Sequence, residues 1–159
     1  MGYLRAVMAA EEHSQRVLSL TEHIISLNAA HYTVWLYRAE TLFALKSNIS
    51  DELKWLNDVA LDNQKNYQIW HHRQLLIDNI YQGIAKDSVA LKELAASEIN
   101  FMTHMFSEDA KNYHVWSYRQ YLVRKLDLFN DTELKSIEDL LRVDVRNNSA
   151  WSHRFFIVF

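Results

Sequence analysis

The chain has 159 residues, 49% of them apolar and 13% aromatic, with a formal net charge of −3. The length fits one domain with a sizeable core. The weak charge argues against a nucleic-acid or membrane surface, no apolar run approaches the roughly 20 residues of a spanning helix, and no basic-then-apolar stretch marks a secretory signal.

With no proline and only two glycines, Gly2 and Gly83, the chain lacks the turn residues of sheet-rich folds. Helices joined by short polar turns are expected instead. The absence of cysteine removes disulfides and thiolate metal sites and suits a reducing, cytoplasmic setting.

A short helix is expected near Tyr3–Glu12. Four repeats follow, at about 13–46, 50–81, 96–126 and 131–159, within one helical-repeat domain spanning 1–159. The first has Leu18 and Ile24 on one helix, a turn with Asn28, Ala30 and His31, and a second helix with Trp35, Arg38, Leu42 and Leu45. The second repeats this as Leu53 and Val59; Asn63, Lys65 and Asn66; then Trp70, Arg73, Ile77 and Ile80. The third gives Ile99 and Met105; Asp109, Lys111 and Asn112; then Trp116, Arg119, Val123 and Leu126. The fourth gives Leu134 and Leu140; Asp144, Arg146 and Asn147; then Trp151, Arg154 and Val158.

The tryptophans are 35, 46 and 35 residues apart. A period near 35 marks stacked helical hairpins, and the apolar spacings place each set on one helix face. Glu52, Glu98 and Glu133 are expected at the start of a first helix, where a carboxylate complements the helix dipole. Asn66, Asn112 and Asn147 are expected as N-caps of second helices. Eleven extra residues in the middle interval, around Ile80–Ala96, imply a longer connection or extra helical turns. The last residues, Phe155-Phe156-Ile157-Val158-Phe159, lack the polar face that closes a solenoid. Truncation, or a partner covering the end, is the expected reason.

Repetition separates packing from chemistry. Trp and Arg recur in every repeat and are expected to be structural. Residues present once are candidates for function: Gln68 and His114 share the column two before Trp, where the other repeats have Thr33 and Ser149. Lys65, Lys111 and Arg146 precede second helices, so each cation stands near a positive helix end, and stacking would align them along one edge. Such a position suits developing negative charge. The eight histidines form no metal pattern: His71 and His72 are adjacent and diverge on a helix, and HExxH is absent.

The segments Ala29–Trp35, Lys65–Arg73, Asp109–Trp116 and Asp144–Trp151 resemble, in order and spacing, the repeats of the protein prenyltransferase α-subunit family. The likeness is to the subunit shared by farnesyltransferase and type I geranylgeranyltransferase. It runs from about Tyr3 to the last residue, with departures at His31, where the family usually has asparagine, and at Trp151-Ser152-His153-Arg154. The resemblance implies an all-α fold, a right-handed α–α superhelix of TPR-like hairpins wrapped around a β subunit in a heterodimer. It implies transfer of a farnesyl or geranylgeranyl group from its isoprenoid diphosphate to the cysteine of a protein ending in a CaaX motif.

By the same resemblance Lys65 meets the diphosphate, and Tyr113 and His114 stand near the diphosphate and first isoprene unit. Asn112 belongs with these substrate contacts. Tyr67 lines the cleft, Gln68 bonds the peptide's terminal carboxylate, and Tyr32 stands beside the pocket for the last CaaX residue. Zinc is implied on the β subunit and magnesium at the diphosphate, with no cofactor bound by this chain. Two alternatives share the fold: the α subunit of the Rab-specific geranylgeranyltransferase, and a non-enzymatic repeat scaffold that binds proteins in its groove.

Overall fold

The computed structural model describes residues 1–159, and all of its regular structure is α-helical. The first compact unit, Met1–Gly83, holds α1 (Gly2–Ala9), α2 (Gln15–Leu27), α3 (Tyr32–Ala44), α4 (Ile49–Asp62) and nearly all of α5 (Tyr67–Ile84). The second, Ile84–Phe159, holds α6 (Ser88–Glu108), α7 (Tyr113–Leu126), α8 (Asp131–Val143) and α9 (Asn148–Val158). The hairpins are α2/α3, α4/α5, α6/α7 and α8/α9. The eleven extra residues are helix: α5 has 18 residues and α6 has 21.

One turn chemistry recurs in the hairpins. Asn28, Asp109 and Asp144 cap the C-termini of α2, α6 and α8. Their side chains accept from the amides of Ala30, Lys111 and Arg146 at 3.1, 3.0 and 2.9 Å. These Asx turns reverse the chain without glycine. The next helix is capped by His31, Asn66, Asn112 or Asn147, whose side chain accepts from a first-turn amide. The indoles of Trp35, Trp116 and Trp151 donate back to the carbonyls of Ala29, Ala110 and Val145, at 2.8, 2.8 and 2.7 Å.

The ends of α1, α3 and α7 are followed by Glu11, Lys46 and Asp127 at φ 51°, 51° and 53°. These are left-handed positions that glycine would occupy more easily. The turns close through bonds from the amides of Glu12, Ser47 and Leu128 to the carbonyls of Val7, Leu42 and Val123.

Apolar burial on both helices of each hairpin builds the two cores. In the first unit Val17, Val34, Leu56 and Ile69 are fully buried; in the second Met102, Val115, Leu122 and Ile137 are. Trp35, Trp70 and Trp116 are buried, whereas Trp151 is 45% exposed. Tyr37 ties α1 to the first hairpin by donating to the carbonyl oxygens of Val7 and Glu12, at 3.1 and 2.6 Å.

Arg38, Arg73 and Arg119 are buried as well, whereas Arg154 is part-exposed. Arg38 donates from Nε and Nη2 to Glu52 at 2.7 and 2.8 Å, and from Nη1 to the Leu18 carbonyl and Thr21 Oγ1. Arg119 makes the same fork onto Glu133, at 2.6 and 3.0 Å. Glu52 and Glu133 do lie in the first turns of α4 and α8, but both are buried and serve as arginine partners. Glu98 departs from expectation. It lies deep within α6, because the extra residues start that helix earlier, and it accepts from Tyr118 Oη at 2.6 Å.

Candidate functional site

The residues singled out in the sequence sit at the turns between first and second helices. Tyr32, Tyr67 and Tyr113 are the first residues of α3, α5 and α7, and they are 54%, 61% and 77% exposed. Three tyrosines at one repeat position keep their rings in solvent at helix N-termini. Exposed aromatics grouped with polar groups mark contact surfaces more often than cores.

In the first unit, Lys65 is exposed and its ammonium makes no ion pair. It precedes the cap Asn66 and the positive N-terminus of α5. Tyr67 stacks on His71 with ring centroids 6.4 Å apart. Gln68 is half-buried, and its amide donates to Asn66 Oδ1 at 2.9 Å. Gln68 and Tyr32 meet in one narrow crevice with Trp35, Leu36 and His72. Its volume of about 10 Å³ admits no more than one water, so its rim, rather than its interior, is available for contacts.

In the second unit, Tyr113 and His114 make an edge-on ring pair at 5.8 Å. His114 is half-buried, and its amide donates to Asn112 Oδ1 at 3.0 Å. Asn112 is buried and caps α7. Lys111 is exposed but committed, with Nζ 3.4 Å from Asp144 Oδ2. Asp144 is held below the usual carboxylate range by the backbone N–H of Arg146 and by Lys111. The matching cations therefore differ: Lys65 has no acid partner, and Lys111 has one.

Two buried ionic clusters lie behind these turns, and the sequence analysis did not assemble them. His72 Nε2 is 3.0 Å from Glu52 Oε1, which also takes Arg38. His153 Nε2 is 2.9 Å from Glu133 Oε1, which also takes Arg119. The signal was present as an Arg, a Glu 14 residues on and a His 20 residues further, which occurs twice in the chain. Burial pushes the Glu133 carboxyl up, but the bonds from His153 and Arg119 prevail and hold it at about 2. Glu52 is lowered by the same balance. Burial lowers His72, against the pull of Glu52, which favours the neutral ring. Its Nδ1 is buried without a partner, which a bare lone pair tolerates better than an N–H would. No group of three His, Cys, Asp or Glu side chains stands where it could hold a metal ion.

A family model described as the protein prenyltransferase alpha subunit repeat matches residues 14–45, 49–80, 95–126 and 130–159. A protein farnesyltransferase/geranylgeranyltransferase type-1 subunit alpha from Arabidopsis thaliana is 41% identical over 158 residues, covering 99% of this chain and 45% of the relative. The Dictyostelium discoideum protein of the same name is 40% identical over 158 residues, covering 99% and 47%. That from Schizosaccharomyces pombe is 53% identical over 77 residues, covering 48% and 26%. Among solved structures, a chain of Candida albicans protein geranylgeranyltransferase-I complexed with GGPP superimposes with a TM-score of 0.87 at 47% identity, covering 99% of this chain and 51% of that one. The chain thus spans about half, or less, of the length of the proteins it matches.

Proposed function

This chain belongs to the protein prenyltransferase α-subunit repeat family, and on that premise we propose that it serves in a heterodimer of the farnesyltransferase and type I geranylgeranyltransferase kind. In the proposed reaction a cysteine thiolate of a CaaX protein attacks C1 of a farnesyl or geranylgeranyl diphosphate. The new C–S bond forms as the C1–O bond breaks, and diphosphate leaves with the electron pair. A β subunit completes the enzyme, and we place the complex in the cytoplasm.

The observation that carries this reading is the set of side chains not shared by all four repeats, displayed at otherwise repeated helix N-termini. Lys65, exposed and without an acid partner, is suited to meet the charge that grows on the departing diphosphate. A preorganised cation beside a helix N-terminus serves this best. His114 and Tyr113 offer an imidazole and a phenol to the same class of ligand. Gln68, at the rim it shares with Tyr32, can donate from its amide to a peptide's terminal carboxylate, and Tyr32 and Tyr67 offer aromatic faces beside it. Asn112 acts by fixing the start of α7, which positions Tyr113 and His114. Zinc on the β subunit and magnesium at the diphosphate would supply thiolate and charge stabilisation; this chain's residues contribute orientation and cationic contacts.

Co-expression with a prenyltransferase β subunit, followed by an assay of isoprenoid transfer to a CaaX peptide, tests the proposal. A co-purifying, active heterodimer is expected. Failure to associate, with tight binding of unrelated peptides by the chain alone, would favour a scaffold instead.

A further inference from the structure

Asn66 joins the turn that carries Lys65 and Gln68 to the turn that carries Tyr32. Its Nδ2 donates to the Ala29 carbonyl at 2.6 Å, 37 residues back in the chain. Its Oδ1 accepts from the backbone N–H of Gln68 at 2.9 Å. The Ala29 carbonyl is itself held in place, because Trp35 Nε1 donates to it at 2.8 Å. Trp35 is buried against Trp55 and His72, with ring centroids 5.9 and 5.0 Å away.

These bonds bear on the rim that Tyr32 and Gln68 share. Tyr32 stands three residues after Ala29, and Gln68 two residues after Asn66. The side-chain amide of Gln68 has no partner within the chain, so its place is set by the backbone at the start of α5. The crevice beneath the rim is too narrow for a ligand. Whatever meets Gln68 and Tyr32 together must therefore span the gap between the starts of α3 and α5, and Asn66 ties one start to the other.

Resting on the function proposed above, we infer that Asn66 is a positioning residue for peptide recognition. It touches no substrate itself. It sets the distance between Gln68 and Tyr32 at which the peptide's terminal carboxylate and last side chain are met together. The two-ended amide is required, because a hydroxyl at this position caps α5 but is too short to reach Ala29. Without the Nδ2 bond the start of α5 shifts against the start of α3, and Gln68 donates to the carboxylate at poorer geometry, where a hydrogen bond weakens steeply. Asn147 provides a comparison within the same chain. It makes the same two bonds, to the Ala150 N–H at 3.1 Å and the Ala110 carbonyl at 3.0 Å, but the helix it starts, α9, carries none of the proposed peptide contacts.

Steady-state kinetics of the reconstituted heterodimer with a CaaX peptide, as the free acid and as its C-terminal amide, tests this. Asn66→Ser should raise KM for the free acid about tenfold with kcat unchanged. KM for the amide should not move, because that peptide lacks the carboxylate that Gln68 meets. Asn147→Ser, which loses the matching bond, should leave both KM values unchanged. Melting curves establish that each variant is folded, and Asn66→Thr, a second cap too short for Ala29, carries the test if Asn66→Ser does not assemble. An unchanged KM for the free acid in Asn66→Ser would overturn the inference while the proposed function stands. So would an equal rise for the amide, or in Asn147→Ser, since either marks a merely structural bond. A wild-type heterodimer without prenyl transfer would overturn both.

Discussion

Asn147 donates from Nδ2 to the carbonyl oxygen of Ala110 at 3.0 Å, reaching back 37 residues into the preceding repeat. Asn66 reaches the Ala29 carbonyl in the same way at 2.6 Å. In both cases that carbonyl also takes the indole N–H of its own repeat's tryptophan. One asparagine thus caps its own helix with Oδ1 and fastens it to the previous turn with Nδ2.

Asn147→Ala should therefore cost more than a simple cap. A cap is worth about 1 kcal/mol and a net hydrogen bond about the same, so a loss of about 2 kcal/mol is expected. Asn147→Ser, which can cap but cannot reach Ala110, should lose about half of that. Urea denaturation of the two variants measures the difference.

The buried fork at Glu133 makes a sharper prediction. Glu133→Gln leaves the Arg119 charge buried without its counterion, and breaking such a pair costs about 3–5 kcal/mol. A change below 1 kcal/mol in the denaturation midpoint analysis would show that the pair contributes little.

Stability should fall in two steps as pH drops. The first comes from His72, whose pKa is lowered by burial. Below the unfolded value near ~6.5 the unfolded chain takes a proton that the folded ring refuses, so stability declines. The second comes from Glu133, held at about 2, and Glu52, also lowered. Their contribution is complete above the unfolded carboxylate value near ~4.3 and is lost as pH falls toward 2. Melting temperature followed from pH 8 to 3 should show both steps, and His72→Gln should remove the upper one.

Lys46 is left-handed at φ 51° after α3, where a side chain is disfavoured. Lys46→Gly should stabilise the chain by about 0.5–1 kcal/mol. Thermal denaturation at constant pH checks the sign.

Much of this was legible because repetition averages out local ambiguity. The columns of Trp35, Arg38 and Asn66 announced packing residues, a structural arginine and a cap, and these three residues take those places in the fold. The position of Glu98 was not legible, because the inserted residues extend α6 toward its N-terminus and convert a helix-start glutamate into a mid-helix one. The unmatched Nη1 of Arg119 escaped for a different reason: it reflects the hydroxyl that Thr21 gives Arg38 and that Met102 cannot give, which matters only once Arg119 is seen to be buried. The commitment of Lys111 to Asp144 likewise rests on a contact between successive turns, which spacing alone does not reveal.

The central claim is that residues repeated in every hairpin hold the chain together, whereas those not shared by all four repeats serve the chemistry. Lys65→Ala in the reconstituted heterodimer tests it most directly, with single-turnover prenyl transfer and melting temperature measured on one preparation. The account predicts a rate lower by about 10²-fold, with an unchanged melting temperature and unchanged affinity for the CaaX peptide. An unchanged rate, or a rate loss that merely follows a fall in melting temperature, would contradict it.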